Sequence, residues 1–211
     1  MPAPITFNPM QTTNSQASFL LVSDGYFSGM VEDDPATRYQ LEGGVVTSSA
    51  TVPYYGGLPV SLAVPVANGA TGQPTALGSI MTLAAQTAQS ASNGIHGWTC
   101  FNQSHNGIIT PSSGVPLFSS GMSLNFYRFG TNARIALPLS AGLANSLVSG
   151  APTNPVSWDF VNQCITTYNA GVGALPVQIM KVSLTSKIVV YNPTTQAISF
   201  TPQGPCALVR I

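Results

Sequence analysis

The 85 residues from Gly43 to Tyr127 contain no aspartate, glutamate, lysine or arginine. The whole chain of 211 residues has six Lys and Arg and six Asp and Glu, so 6% of its residues are charged and its formal net charge is zero. An ordinary domain is about 25% charged. Long helices with charged outer faces and coiled coils need many Glu and Lys residues, so this chain cannot be built from them. Apolar residues make up 44%, which is enough for a packed core.

The same scarcity of charge limits the partners. Six scattered cations cannot neutralise a row of phosphates, so we expect no direct nucleic-acid partner. The apolar stretches at 19–22 and 62–66 are far shorter than the about 20 residues of a membrane-spanning helix, so we expect no membrane partner. Residues 1–4 lack the basic and hydrophobic character of a signal peptide. Because interface cores are depleted in charge, the composition favours an assembly component over a freely diffusing enzyme.

Short apolar stretches separated by turn residues predict an all-β fold, a single β-barrel or β-sandwich domain with an extended N-terminal arm and long loops. Residues 1–30 predict the arm, with one short strand at Ala17–Val22, and residues 31–211 predict the domain. Several stretches alternate or are bounded as strands should be, and we expect strands at 60–66, 115–118, 122–129, 134–139, 156–160, 164–168, 178–184, 187–191, 197–201 and 207–211.

Three other segments carry more particular expectations. Residues 98–101 and 108–110 flank an Asn-Gly dipeptide and predict a hairpin. Residues 79–92 fit either a helix or a strand followed by a polar loop. Residues 140–155, rich in Gly, Ser, Asn and Pro, predict a loop.

Cysteine and histidine offer little chemistry. Cys100, Cys164 and Cys206 are an odd number without a disulfide framework, so we expect buried free thiols. His96, Cys100 and His105 come nearest to a metal site, but a tetrahedral zinc site needs a fourth ligand, for which Cys164 is the candidate. A Cys–His nucleophile pair would need a carboxylate to orient the histidine, and no carboxylate lies close in sequence. We expect no metal and no cofactor.

Carboxylates and aromatic residues leave two further possibilities. A carboxylate pair for glycoside hydrolysis would have to be drawn from Asp24, Glu32, Asp33, Asp34, Glu42 and Asp159. A hydrolase using Asp159, His96 or Cys100 is the enzymatic alternative, and we predict that the chain is not an enzyme. An aromatic platform for carbohydrate would use Trp98, Trp158, Phe126, Tyr127 and Phe129, although aromatics on strands more often form a core.

Three stretches resemble the capsid cement, or decoration, proteins of tailed bacteriophages. They are GWTCFNQSHNGIITP at 97–111, GMSLNFYRFG at 121–130, and VSWDFVNQ at 156–163 leading to Tyr168, together with the glycine-containing Tyr26–Gly29. The resemblance implies a virion structural protein that is made in the bacterial host cytoplasm and lies on the capsid exterior. It implies binding to the outside of a shell of HK97-like major capsid protein, which the chain stabilises against internal DNA pressure.

The resemblance implies two partners, the major capsid protein and further copies of the chain in a homodimer or homotrimer, and it carries over no catalytic residue. The charge-dense segment after the arm contains Glu32, Asp33, Asp34 and Arg38, which we predict to be a capsid contact that sets orientation. Two alternatives stay open: another virion component such as a tail-tube, baseplate or fibre subunit, and a carbohydrate-binding β-module.

Overall fold

A computed structural model of the chain describes residues 26–32, 37, 39–48, 50–62, 78–81, 94–101, 108–109, 114–151, 155–192 and 194–211. Within these ranges the chain forms twelve strands and one helix. They are β1 (Glu42–Val46), β2 (Pro59–Leu62), β3 (Gly78–Met81), β4 (Gly97–Thr99), β5 (Ile108–Ile109), β6 (Pro116–Leu117), β7 (Ser123–Arg128), β8 (Arg134–Pro138), α1 (Ala141–Val148), β9 (Val156–Asp159), β10 (Cys164–Thr167), β11 (Gln178–Tyr191) and β12 (Ile198–Arg210). The predicted all-β class, a barrel or sandwich domain, is confirmed.

Five of the strands form a closed barrel in the order β1-β3-β2-β4-β7, with β7 returning to β1. The pair β1–β3 is parallel, whereas β1–β7, β2–β3, β2–β4 and β4–β7 are antiparallel. In β7, Leu124 and Phe126 are buried while Ser123 and Arg128 are exposed, as the alternation of the sequence predicts. These two side chains pack with Val46, Val60 and Tyr54 in one core cluster.

A second sheet has the order β11-β12-β8. Residues 26–32, which we call the closing segment, bridge its two outer strands. Phe27 pairs with Lys187 of β11 in the parallel sense, and Val31 pairs with Ile135 of β8 in the antiparallel sense. Backbone hydrogen bonds from Gly29 N–H to the Ala136 carbonyl (2.7 Å) and from Ala136 N–H to the Met30 carbonyl (2.8 Å) fix the segment on β8. The closing segment therefore connects the two outer strands of this sheet locally, and its Tyr26 and Met30 pack against a small cluster of Ala136, Ile188 and Cys206.

Glycine permits the close approach between the closing segment and the first barrel. Gly29 and Gly57 have φ values of +76° and +88°, and a Cβ at Gly29 would lie 2.5 Å from the backbone of Gly56 and of Gly57. The amide of Phe101, just after β4, donates to the Gly29 carbonyl at 2.6 Å. A side chain at either glycine would separate these backbones.

The largest core cluster draws residues from the barrel, from the β11-β12-β8 sheet and from the remaining elements. Trp98 of β4 meets Trp158 of β9 edge to face, with ring centroids 5.8 Å apart, and Phe129 packs on Trp98 at 4.9 Å. The hairpin β9–β10 and the buried Leu143 and Ala144 of α1 belong to the same cluster. The aromatic residues thus join the barrel to the C-terminal half.

Several sequence predictions need correction. The predicted loop at 140–155 contains α1, because the Ser140 hydroxyl accepts a hydrogen bond from the Leu143 amide and caps the helix. The predicted hairpin of 98–101 with 108–110 is wrong, since β4 pairs with β2 and β7 while β5 pairs with β6. For 79–92, the strand alternative holds at its start in β3, and 82–93 lie outside the described residues.

The long C-terminal strands were predicted in pieces. The stretches 178–184 and 187–191 are one strand, β11, and 197–201 and 207–211 contribute to one partner strand, β12. Register shifts between Ser183 and Ser186 and between Ser186 and Ile188 absorb the irregularity that divides the sequence pattern. Of the predicted arm, residues 26–30 belong to the closing segment, and residues 1–25, with the strand at Ala17–Val22, lie outside the described residues.

Candidate functional site

Glu32 is the described member of the predicted capsid contact. Its amide donates to the Arg134 carbonyl at 2.9 Å, and its Oε2 lies 2.9 Å from Nη1 of Arg134. The β8 edge therefore fixes both its backbone and its carboxylate. The other three members, Asp33, Asp34 and Arg38, lie outside the described residues, so their role stays a prediction. Tyr39, which follows this stretch, is 94% exposed.

The other described charges also have partners within the chain. Glu42 of β1 and Arg128 of β7 form an ion pair of 2.6 Å across the barrel seam. Arg210 donates a hydrogen bond to the side-chain carbonyl of Gln178. Such exposed contacts contribute little to stability, but they engage charges that would otherwise face solvent alone.

The two described lysines lie beside aromatic rings. Nζ of Lys181 is 5.9 Å from the ring centroid of Tyr26, and Nζ of Lys187 is 4.9 Å from that of Phe200. Burial lowers the pKa of Lys187, because desolvation disfavours its charged form. Both cations are therefore held against the protein's own surface.

Asp159 is used by its own turn. Its Oδ1 accepts hydrogen bonds from the amides of Val161 (2.8 Å) and Asn162 (3.0 Å), and its Oδ2 accepts one from Nδ2 of Asn162 (2.7 Å). This arrangement closes the β9–β10 hairpin. The carboxylate therefore has a structural role here, and Cys164, the residue opposite it in the β9–β10 ladder, is a buried thiol whose pKa is raised by burial and by Asp159.

Gln163, in the same turn, is a structural residue that the sequence analysis did not single out. It is buried with φ +53°, and its Oε1 accepts a hydrogen bond from Nε1 of Trp158 at 3.3 Å while its Nε2 donates to the Phe160 carbonyl. Gln163 is the last residue of the VSWDFVNQ stretch quoted for the resemblance, but the sequence alone does not indicate that its side chain points into the core.

His96 and Cys100 are not arranged as a nucleophile and base. Nδ1 of His96 accepts a hydrogen bond from the Leu62 amide at 2.8 Å, and the thiol of Cys100 donates to the Asn125 carbonyl at 3.4 Å. His105 lies outside the described residues. Within the described ranges, no three His, Cys, Asp or Glu side chains are grouped closely enough to hold a metal ion.

The three cysteines are buried and free, as predicted. Burial raises the pKa of each thiol, Cys100, Cys164 and Cys206, to about 12. A thiol that stays protonated at neutral pH is a poor nucleophile, so these residues serve as small apolar core side chains.

The aromatic platform for carbohydrate is not formed. Trp98, Trp158, Phe126 and Tyr127 are buried, and Phe129 packs edge to face on Trp98. A sugar could not stack on rings that already contact one another inside the core. These residues are core residues, as their alternation on strands had favoured.

The exposed apolar side chains form the part of the surface that sequence reasoning missed. The large ones are Tyr39, Val148, Val161, Tyr168, Met180, Leu184 and Val190. Three of them lie on β11, whose sequence does not alternate cleanly between apolar and polar positions, so the exposed positions could not be told from the buried ones. Exposed apolar residues on a strand are candidates for contact with another chain or segment.

Comparisons with known proteins find no matching family model, no matching curated protein and no matching solved structure. Across the described part of the chain, no helix has the length and apolar character needed to cross a membrane.

Proposed function

We propose that this chain is a capsid cement protein, a virion structural protein without catalytic activity. It binds the outside of a shell of HK97-like major capsid protein and stabilises that shell against internal DNA pressure. The observation that carries the proposal is that the described charged side chains contact other groups of the same chain. Glu32, Glu42 and Asp159, like the described lysines and arginines, each contact another group of the same chain. A partner that covers this surface has few free charges to desolvate.

Exposed apolar side chains support the same proposal. Tyr39, Val148, Val161 and Tyr168 are exposed on the described surface. Interface cores are enriched in aromatic residues and depleted in Lys, Glu and Asp. A surface of this kind suits lasting contact with a fixed partner better than recognition of a charged substrate.

The proposed action on the shell is a linkage effect. A cement protein stabilises a shell only if it binds the assembled form more tightly than the separated subunits. Because many copies bind equivalent sites on one shell, a modest binding free energy from each copy adds up to a large stabilisation of the whole shell. Self-association as a homodimer or homotrimer would match the two-fold or three-fold axes of an icosahedral shell.

The test uses shells assembled from the cognate major capsid protein and lacking this chain. We expect the purified chain to co-sediment with the shells, to saturate at a fixed ratio of copies, and to raise the temperature at which the shells break open. Absence of co-sedimentation, or binding that leaves the disruption temperature unchanged, would contradict the proposal.

A pair of variants locates the contact. Asp33→Asn combined with Asp34→Asn removes two charges of the predicted contact, and we expect weaker shell binding with a smaller dependence on salt. Glu42→Gln is the control, because Glu42 lies outside the predicted contact and Arg128 engages its carboxylate, and we expect it to change shell binding less. If the double variant binds as the unmodified chain does at every salt concentration, the cluster is only a solvated turn.

A further inference from the structure

The strand β11 has one unpaired side over its first half. It pairs with β12 from Gln178 to Tyr191, and its other side is bridged at Lys187 by Phe27. From Gln178 to Thr185, a stretch that we call the free edge, no strand among the described residues pairs with that side. An unpaired edge presents a row of backbone donors and acceptors to any extended segment that reaches it.

The free edge is also apolar. Met180 and Leu184 are 44% and 45% exposed, and Ile179 and Val182 pack only partly against the largest core cluster. The one charge on the edge is Lys181, whose Nζ lies over the ring of Tyr26. An added uncharged strand would cover apolar surface here without burying a free charge.

The backbone leads the N-terminal part of the chain to this edge. The Tyr26 amide donates to Oγ of Ser186 at 3.0 Å, and the Lys187 amide donates to the Tyr26 carbonyl at 2.9 Å. Because the Phe27–Lys187 bridge is parallel, the strand direction at Tyr26, followed back toward the N-terminus, points along the free edge. Twenty-five residues precede Tyr26, more than the eight that would span the edge.

The sequence of those residues contains one suitable strand. Ala17–Val22 reads ASFLLV, without a charged residue, a glycine or a proline. A parallel continuation of the Phe27–Lys187 bridge would run such a stretch along the free edge, where β11 shifts its register against β12 between Ile179 and Lys181 and between Ser183 and Ser186. The nearest charge to Ala17–Val22 is Asp24, opposite in sign to Lys181.

A second copy of the free edge is a poorer occupant. Two copies of this edge paired antiparallel with the two-fold axis at Lys181 would place their Lys181 side chains directly opposite each other on one face. Like charges facing each other across strands are destabilising. Lys181 therefore disfavours self-pairing of this edge but not its pairing with an uncharged segment.

We propose that the free edge is the docking site for Ala17–Val22 of the same chain, which adds to β11 as a strand parallel to it, in the direction given by the Phe27–Lys187 bridge. Docking covers Met180 and Leu184 and leaves residues 1–16 as the part of the arm that can reach a partner. This proposal does not depend on the cement function, and its test uses the purified chain without shells.

The first test is amide hydrogen exchange on the full chain. We expect residues 17–22 and the free edge to be protected together, and Leu184→Asp to lower the protection of both by about tenfold or more. Val190→Asp is the matched control, since Val190 lies on the same strand beyond the free edge and is 44% exposed. Unprotected exchange at 17–22 in the full chain, or equal effects of the two variants, would overturn the proposal.

The second test is disulfide trapping in dilute solution. Leu20→Cys with Met180→Cys is expected to form a disulfide within one chain, because parallel docking would bring Leu20 to the part of the free edge where Met180 is exposed. Leu20→Cys with Val161→Cys is the control, since Val161 is exposed at the β9–β10 turn. The native thiols are buried and do not compete. Equal yields from the two pairs, or a disulfide found only between chains, would overturn docking within the same chain.

Discussion

At the scale of single residues, the fold depends on places where two backbones come closer than a side chain allows. Gly97 lies in β4 opposite Arg128 of β7, and a Cβ on Gly97 would fall onto the carbonyl oxygen of Tyr127. Relief would require moving the β4–β7 pair, which closes part of the barrel and holds Trp98 in the core. Glycine is needed here for space.

We expect Gly97→Ala to lower the free energy of unfolding by about 1–3 kcal/mol, the usual cost of overpacking. Gly142→Ala is the control: a Cβ there meets no atom within 4 Å, and the residue lies in α1. Replacing a helical glycine by alanine should raise stability by up to about 1 kcal/mol. Denaturant unfolding of both variants measures the difference, and equal midpoints would contradict the close approach.

The buried thiols make stability depend on alkaline pH. Each buried thiol has its pKa raised to about 12, whereas a cysteine of the unfolded chain has a pKa of about 8.5. Above that lower pKa the unfolded chain binds fewer protons than the native protein, so the free energy of unfolding falls as pH rises. The stabilisation from the buried thiols is complete below about pH 8.5. Above that pH, each thiol that is ionised in the unfolded chain but protonated in the native protein lowers the free energy of unfolding by about 1.4 kcal/mol per pH unit.

Urea unfolding between pH 8 and 10 measures this slope. We expect Cys206→Ala, which removes one of the three buried thiols, to reduce the loss of stability over that range relative to the unmodified chain. Comparison of the two slopes removes the contribution of every other titrating group. An unchanged slope would show that Cys206 titrates in the native protein as it does in the unfolded chain.

At the scale of elements, the sequence predicts strands well where one face is buried and poorly where pairing partners are distant. The alternation of β7 and the boundaries of β8, β9 and β10 follow from local pattern. The pairing of β4 with β7 instead of β5 does not, because strand pairing is decided by tertiary contacts that the Asn-Gly dipeptide cannot indicate.

The helix α1 shows a second limit of local pattern. Its residues, AGLANSLV, include a glycine and lie among turn formers, so composition indicates a loop. Burial of Leu143 and Ala144 against the largest core cluster, together with the Ser140 cap, outweighs that weak propensity. The exposed apolar side chains of β11 could not be predicted from the sequence for a similar reason. Whether Met180 and Leu184 are exposed depends on which strands pack beside β11, and local sequence does not specify those neighbours.

We expect Ser140→Ala to lower stability by about 1 kcal/mol, because the Leu143 amide loses its hydrogen-bond acceptor. Ser146→Ala is the control: Ser146 lies inside the helix and its hydroxyl donates back to the Gly142 carbonyl, a bond that contributes little. Thermal unfolding of the two variants checks the expectation. A loss at Ser146 as large as that at Ser140 would assign the effect to composition and not to capping.

At the scale of the whole molecule, the low charge of the sequence gives a surface with few charged side chains, and those described contact other groups of the same chain. The described ion pairs Glu32–Arg134 and Glu42–Arg128 join strands or segments of one chain. Neutral polar residues and isolated apolar side chains make up much of what remains exposed. Such a surface loses little by being covered, which is why we propose a permanent place on an assembled shell.

The most direct measurement is an image reconstruction of the phage particle in which we propose that this chain resides. We expect density that fits the barrel and the β11-β12-β8 sheet on the outside of the shell, repeated at symmetry-related positions in contact with the major capsid protein. Density for the chain confined to the tail, baseplate or fibres, or a shell whose outer surface lacks it, would contradict the central claim.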